Sequence, residues 1–202
     1  MSRVSRVTVL PAAPVLLPQH AGLVDPVPEL RDACHDAVRR LLVEPSVPVV
    51  VLWAAPAPTG RGTASPPRGW RLARSLLAVA GHCGRRREVG APFPAAPPGE
   101  GELAVLALAD GSARRSERAP GHVDARAGGY DSAIGAALLS GNLAALRELD
   151  LGLGAELLAE GAPVLRTVAS WVERVESAEL TFDDDPFGVQ YWVAHWRCTA
   201  RA

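Results

Sequence analysis

Residues 47–53 form an uninterrupted apolar run (VPVVVLW). A strand with one wet face alternates apolar and polar side chains. A continuous run of this length instead marks a strand buried on both faces, the situation inside a helix-covered α/β sheet. The flanking segments agree. Residues 4–10 alternate and are rich in valine, predicting a first strand, and residues 29–43 carry Leu30, Cys34, Ala37, Val38, Leu41 and Leu42 at helical spacing. Strand, helix and buried strand in this order form a βαβ unit. A third clear strand is predicted at 103–108, and a helix over 70–80 with Leu72, Leu76, Leu77 and Val79. Helices follow at 132–139, 143–149, 154–160 and 164–175, punctuated by glycines, with Asn142 as an N-cap. The chain closes with strands at 179–182 and 189–198 around the turn Asp185-Pro186-Phe187-Gly188. In the last strand Tyr191, Val193, His195 and Arg197 share one face, and Trp192, Ala194, Trp196 and Cys198 the other. The predicted fold class is α/β: a three-layer sandwich with a mixed central sheet, one domain spanning 1–202. The Pro-containing stretch 11–28 is a candidate pocket wall, and the Pro/Gly-rich stretches 55–69 and 84–101 are expected to be irregular, mobile loops.

Composition narrows the function classes. At 202 residues the chain is long enough for one sizeable core. Its net charge of -1 provides no field for nucleic acid or an anionic membrane, so neither is expected as a partner. Every basic residue is arginine and Ile134 is the single isoleucine, a bias that fits GC-rich coding better than a need for guanidinium groups. Cys34, Cys83 and Cys198 are scattered and odd in number, which points away from a disulfide framework and toward a reducing compartment. No apolar run approaches the roughly 20 residues that span a bilayer. The expected location is cytoplasmic.

The candidate chemistry lies where the third strand ends. The run 103–108 stops at Asp110-Gly111-Ser112, delivering a polar loop at a strand's carboxyl end, where open α/β sheets bind ligands. The candidate ligand-binding residues are Asp110, Ser112, Arg114, Arg115 and His122. Arg114, Arg115 and Arg118 lie beside Ser112 and Ser116, and guanidinium forks clamp carboxylates or phosphates bidentately. The competing account is a solvated loop whose arginines pair with Glu117 and Asp124. His122 lies in a segment that can fold back over the strand ends. No His, Cys or second carboxylate stands near Asp110 in sequence, and His20, His82, His122 and His195 lack the i, i+4 or H-x-H spacing of metal ligands. Asp183-Asp184-Asp185 reads as a hairpin turn rather than a cation site. Gly-x-Gly-x-x-Gly and Gly-x-Ser-x-Gly are both absent, removing support for dinucleotide binding and for a nucleophile-elbow hydrolase.

Three segments in order carry a resemblance: Val9-Leu10-Pro11-Ala12-Ala13-Pro14 at the end of the first strand, Asp110-Gly111-Ser112-Ala113-Arg114-Arg115 after the middle strand, and 182–196 (FDDDPFGVQYWVAHW) at the end of the chain. Together they resemble the class III extradiol ring-cleavage dioxygenase catalytic-subunit superfamily (LigB-type, including Memo-like proteins), and within it short, divergent actinobacterial members. The resemblance implies a non-haem Fe(II) held by two histidines and a carboxylate, with a further histidine as acid/base. It also implies where the imidazoles belong: at Ala12, at Ala54 or Ala55, and at Ala113. Methyl groups do not bind iron, so the expectation is a member that has lost its ancestral Fe(II), with no metal and no assigned catalytic residue. Its expected role is to bind a small anionic or aromatic ligand or to act in an interaction. Two alternatives stand beside it: an active ring-opening oxidoreductase with an atypical ligand set, and a structural partner that forms a homodimer through its aromatic hairpin.

Overall fold

The computed structural model describes residues 2–20, 24–54 and 67–199. The apolar run becomes β2 (Val49–Trp53), every residue of it buried. It lies inside a sheet of order β3-β2-β4-β1-β6-β5. β1 (Ser2–Leu10) and β4 (Gly101–Leu108) pair in parallel, and β4 pairs in parallel with β2. β3 (Arg86–Val89) extends the parallel half beyond β2. At the other side β6 (Tyr191–Thr199) runs antiparallel to β1, and β5 (Arg174–Asp184) antiparallel to β6. The sheet is therefore mixed, and helices cover both faces in a three-layer α/β fold.

Two apolar cores follow from strand alternation. On one face Leu10, Val49, Val51, Trp53, Leu106, Leu108, Tyr191 and Val193 pack beneath α1 (Pro28–Leu41) and α2 (Arg68–Val79). On the other, Val7, Val9, Val50, Leu52, Val105, Ala107, Trp192 and Trp196 pack beneath α3 (Arg126–Ser140), α4 (Leu143–Arg147) and α6 (Ala162–Trp171), with α5 (Leu151–Glu156) alongside. The two sides of the last strand divide between the cores as its alternation predicts. Trp196 adds a buried polar tie, its Nε1 donating to the Leu138 carbonyl at 2.8 Å. The predicted N-cap is real: Asn142 Oδ1 accepts from the Ala145 N–H. Among the described residues no helix is long and apolar enough to cross a membrane.

Three expectations need correction. The stretch expected to be irregular at 84–101 contains β3, whose Arg-Arg-Glu-Val sequence lacks the apolar alternation of a core strand because it forms the sheet edge. Of the loop expected at 55–69, residues 55–66 lie outside the described residues, while Arg68 and Gly69 already belong to α2. The helix expected at 154–160 runs instead over Leu151–Glu156, capped by Asp150 Oδ1 accepting from the Leu153 N–H at 2.9 Å. The segment after β1 is pinned rather than loose. Arg31 of α1 donates to the carbonyls of Val15 and Leu16, both at 2.9 Å, and this leaves Ala12 standing at the strand end.

Candidate functional site

The strand order creates a crevice. β1 and β2 leave the sheet toward α1 and α2 on one face, while β4, which lies between them, leaves toward α3 on the other. Neighbouring strands whose connections part in this way open a gap at their carboxyl ends, where ligands bind in open α/β sheets. The gap is a pocket of about 260 Å³, with Ala12, Trp53, Arg68, Arg71, Asp110 and Glu160 in its lining. Two glycines let its walls close up. A Cβ at Gly69 would fall 2.7 Å from the Trp53 Cβ, so the first turn of α2 seats directly on the end of β2. A Cβ at Gly161 would lie 2.4 Å from the Asp110 carbonyl oxygen, and the Gly161 N–H donates to that same oxygen at 3.1 Å. Glu160 is thereby delivered to the rim of the pocket.

Asp110 is the centre of this arrangement. Its Oδ1 accepts the Ala12 backbone N–H at 2.7 Å, and Oδ2 has no hydrogen-bond partner among the described residues. Desolvation, with a smaller contribution from the Glu160 charge, pushes its carboxyl up to about 7, against the lowering effects of the Ala12 N–H and Arg68. Near neutrality Asp110 is thus able to hold or release a proton. Within the described residues, Arg68, Arg71 and Glu160 form no hydrogen bond or ion pair through their side chains. The first intrahelical bond of α2 runs from the Arg71 N–H to the Pro67 carbonyl, so the N–H groups of the preceding turn have no intrahelical acceptor. Two guanidinium groups and a helix start facing one cavity form a place for an oxyanion.

The five sequence-level candidates separate into three places. Asp110 lies in the pocket. Ser112 and Arg115 belong to a closed network around Asp131 of α3. The Ser112 N–H donates to Asp131 Oδ1 at 2.9 Å, and the Ser112 hydroxyl donates to Oδ2. Arg115 reaches Asp131 Oδ2 at 3.4 Å and pairs through Nε with Asp185 in the hairpin turn. Burial raises the Asp131 carboxyl above the usual range, even with the Ser112 bonds and Arg115 favouring the charged form. Arg114 and His122 line a separate surface groove with Glu117, Val123 and Leu158, in which the Arg114 Nε is buried and without a partner. Asp124 pairs chiefly with Arg126, with a smaller electrostatic contribution from Arg114, and the Asp124 N–H donates to the Arg114 carbonyl; among the described residues Glu117 forms no ion pair.

Sequence inspection missed Asp131, Glu160, Arg68 and Arg71. The arginine pair had a detectable signal, since Arg68 and Arg71 are spaced i, i+3 at the start of a helix. Glu160 had none, because it reaches Asp110 only through the packing of Gly161.

The iron that the resemblance implies does not fit these residues. Of the three positions at which it places an imidazole, Ala12 and Ala54 present methyl groups to the Asp110 pocket. Ala55 lies outside the described residues, and the Ala113 N–H is bonded to the Leu157 carbonyl. The potential ligands around the pocket are two carboxylates accompanied by two guanidinium groups, whereas an Fe(II) facial triad needs two imidazoles. His82 Nε2 is engaged with the Val47 carbonyl at 2.9 Å and His195 Nδ1 with Thr8 Oγ1 at 2.9 Å. Among the described residues no group of three or more His, Cys, Asp or Glu is arranged to hold a metal ion. No protein-family model and no curated protein matches the chain.

Proposed function

We propose that this protein is a divergent relative of the LigB-type extradiol dioxygenases whose pocket binds a small organic anion instead of supporting iron chemistry. One observation carries the reading: Asp110, fixed on one oxygen by Ala12 and, among the described residues, unbonded on the other, shares a cavity with Arg68 and Arg71, whose side chains form no hydrogen bond or ion pair among the described residues. Arg68 is exposed and Arg71 half-buried, so both guanidinium groups are accessible to a ligand entering the pocket. Groups left open around a crevice at strand ends are set up for a ligand. In this reading Arg68, Arg71 and the first turn of α2 hold the anionic head. The Asp110 carboxyl, protonated, donates a hydrogen bond from its free oxygen to a ligand carbonyl or hydroxyl or, once ionised, accepts one from a ligand hydroxyl. Trp53 and Leu108 supply the apolar wall.

The test is thermal stabilisation of the full chain by acetate and by inorganic phosphate. A ligand that binds only the folded form raises Tm in proportion to its saturation. The expected result is a rise for wild type and none for the Arg68→Gln/Arg71→Gln double variant. Equal shifts in both proteins would remove the pocket assignment. A parallel measurement addresses the ancestral chemistry: metal content after iron-supplemented expression and oxygen-free purification. Metal well below one equivalent is expected, and a stoichiometric ion lost on Asp110→Asn would replace this reading with a metalloenzyme.

A further inference from the structure

We infer that the Asp110 pocket and the apolar trough beside it are one binding site, built for a small amphiphile with an anionic head and an aliphatic tail. The inference rests on the head-group reading above and extends it to the rest of the ligand. Ala54 and Glu160 line both cavities, so the two adjoin at these residues. The pocket of about 260 Å³ holds the arginines and Asp110. The trough, about 360 Å³, is walled by Phe93, Leu151, Ala155, Leu158 and Pro163, with Glu160 as its single charged residue, at the junction. Polarity is therefore graded along the site, with charge at one end and hydrocarbon at the other.

Leu158 provides an independent observation. Its φ is +57°, a left-handed conformation that costs a branched aliphatic residue more than glycine or asparagine. The conformation belongs to the left-handed cap that ends α5, where the Ala159 N–H donates to the Gly154 carbonyl at 2.8 Å, and it leaves the Leu158 side chain 41% exposed. An exposed apolar side chain held at a fixed helix end supplies one wall of the trough. Such a tail is recognised by area and not by directed bonds, which accords with the lack of any hydrogen-bonding side chain in the trough apart from Glu160.

The experiment is an NMR titration of the full chain with acetate, butanoate, hexanoate and octanoate, and with octan-1-ol as a tail lacking the anionic head. Affinity is expected to rise by about two- to fourfold per methylene until the trough fills, the range that transfer of a CH₂ from water implies. Octan-1-ol is expected to bind at least about tenfold more weakly than octanoate, because it forgoes the arginine pair. Leu158→Gly, which relieves the backbone strain and so keeps the fold, is expected to cost octanoate far more affinity than acetate. A flat series in wild type, or a steep series indifferent to Leu158→Gly, overturns the amphiphile inference. If acetate binding is still abolished by Arg68→Gln/Arg71→Gln in that case, the head-group pocket survives alone. If no acid binds, or if binding ignores the arginine pair, the pocket reading fails and the amphiphile falls with it.

Discussion

Asp110 and Asp131 are both carboxyls packed against the loop that leaves β4, yet their surroundings differ in kind. Asp131 is enclosed and answered on both oxygens, by the Ser112 N–H and hydroxyl and by Arg115, which continues to Asp185. Among the described residues Asp110 is answered on one oxygen only, and the side chains of Arg68, Arg71 and Glu160 around it form no hydrogen bond or ion pair. The first arrangement is a clamp that ties the loop to α3 and to the closing hairpin. The second is a pocket. The contrast shows why the polar residues of one loop do not share one role: neighbours from distant segments complete the hydrogen bonding of one carboxyl and leave the other open.

The largest expected effect tests the clamp. Asp131→Ala leaves the buried Ser112 groups and Arg115 without their acceptor, and should lower the stability by about 3 kcal/mol, the scale of breaking a buried charged network from one side. Urea unfolding measures it, and a loss under about 1 kcal/mol would show that Asp131 is no more structural than Asp110. Gly161→Ala comes next. Its methyl would meet Asp110 backbone atoms at 2.4 and 2.5 Å, so the α5–α6 connection must shift, at a cost of about 1–3 kcal/mol by the same assay. Because the clash falls on the Asp110 backbone, the variant should also weaken acetate binding, whereas overpacking remote from the pocket would not.

The smallest effect sharpens the contrast through pH. The folded-state value for Asp110 is raised, so between about 4 and 7 the folded protein binds more protons than the unfolded chain. Its contribution to stability therefore falls as pH rises through that window and is flat above it. Asp110→Asn keeps an acceptor for the Ala12 N–H and removes this dependence. The variant should melt higher than wild type at pH 8, with the gap closing toward pH 4. His195 changes stability in the opposite sense. Burial, then Arg40 and Arg6, push its imidazole down to about 4, so its contribution grows between about 4 and 6.5. Both proteins share that term, and the difference between their melting curves isolates Asp110. A difference independent of pH would mean that Asp110 is ionised as easily as a surface carboxyl.

What was legible in the sequence was whatever periodicity encodes. Burial of Val49–Trp53 on both sides, the division of Tyr191 and Trp192 between two cores, and the Asn142 cap all follow from local patterns, because pleat and helix repeat are properties of neighbouring residues. β3 was illegible for the same reason: an edge strand of Arg-Arg-Glu-Val has no buried face to impose a pattern. At the site, Asp110 was recognisable from its place at a strand end, and that much the chain alone determined. Which charges would stand around Asp110 was decided by tertiary structure. Arg68 reaches it because Gly69 permits α2 to sit on Trp53, and Glu160 because Gly161 permits close approach to the Asp110 backbone. Meanwhile Ser112 and Arg115, only two and five positions beyond Asp110, were drawn into the clamp by Asp131 and Asp185. Hydrogen-bond satisfaction is a property of three-dimensional neighbours, and no local pattern records it.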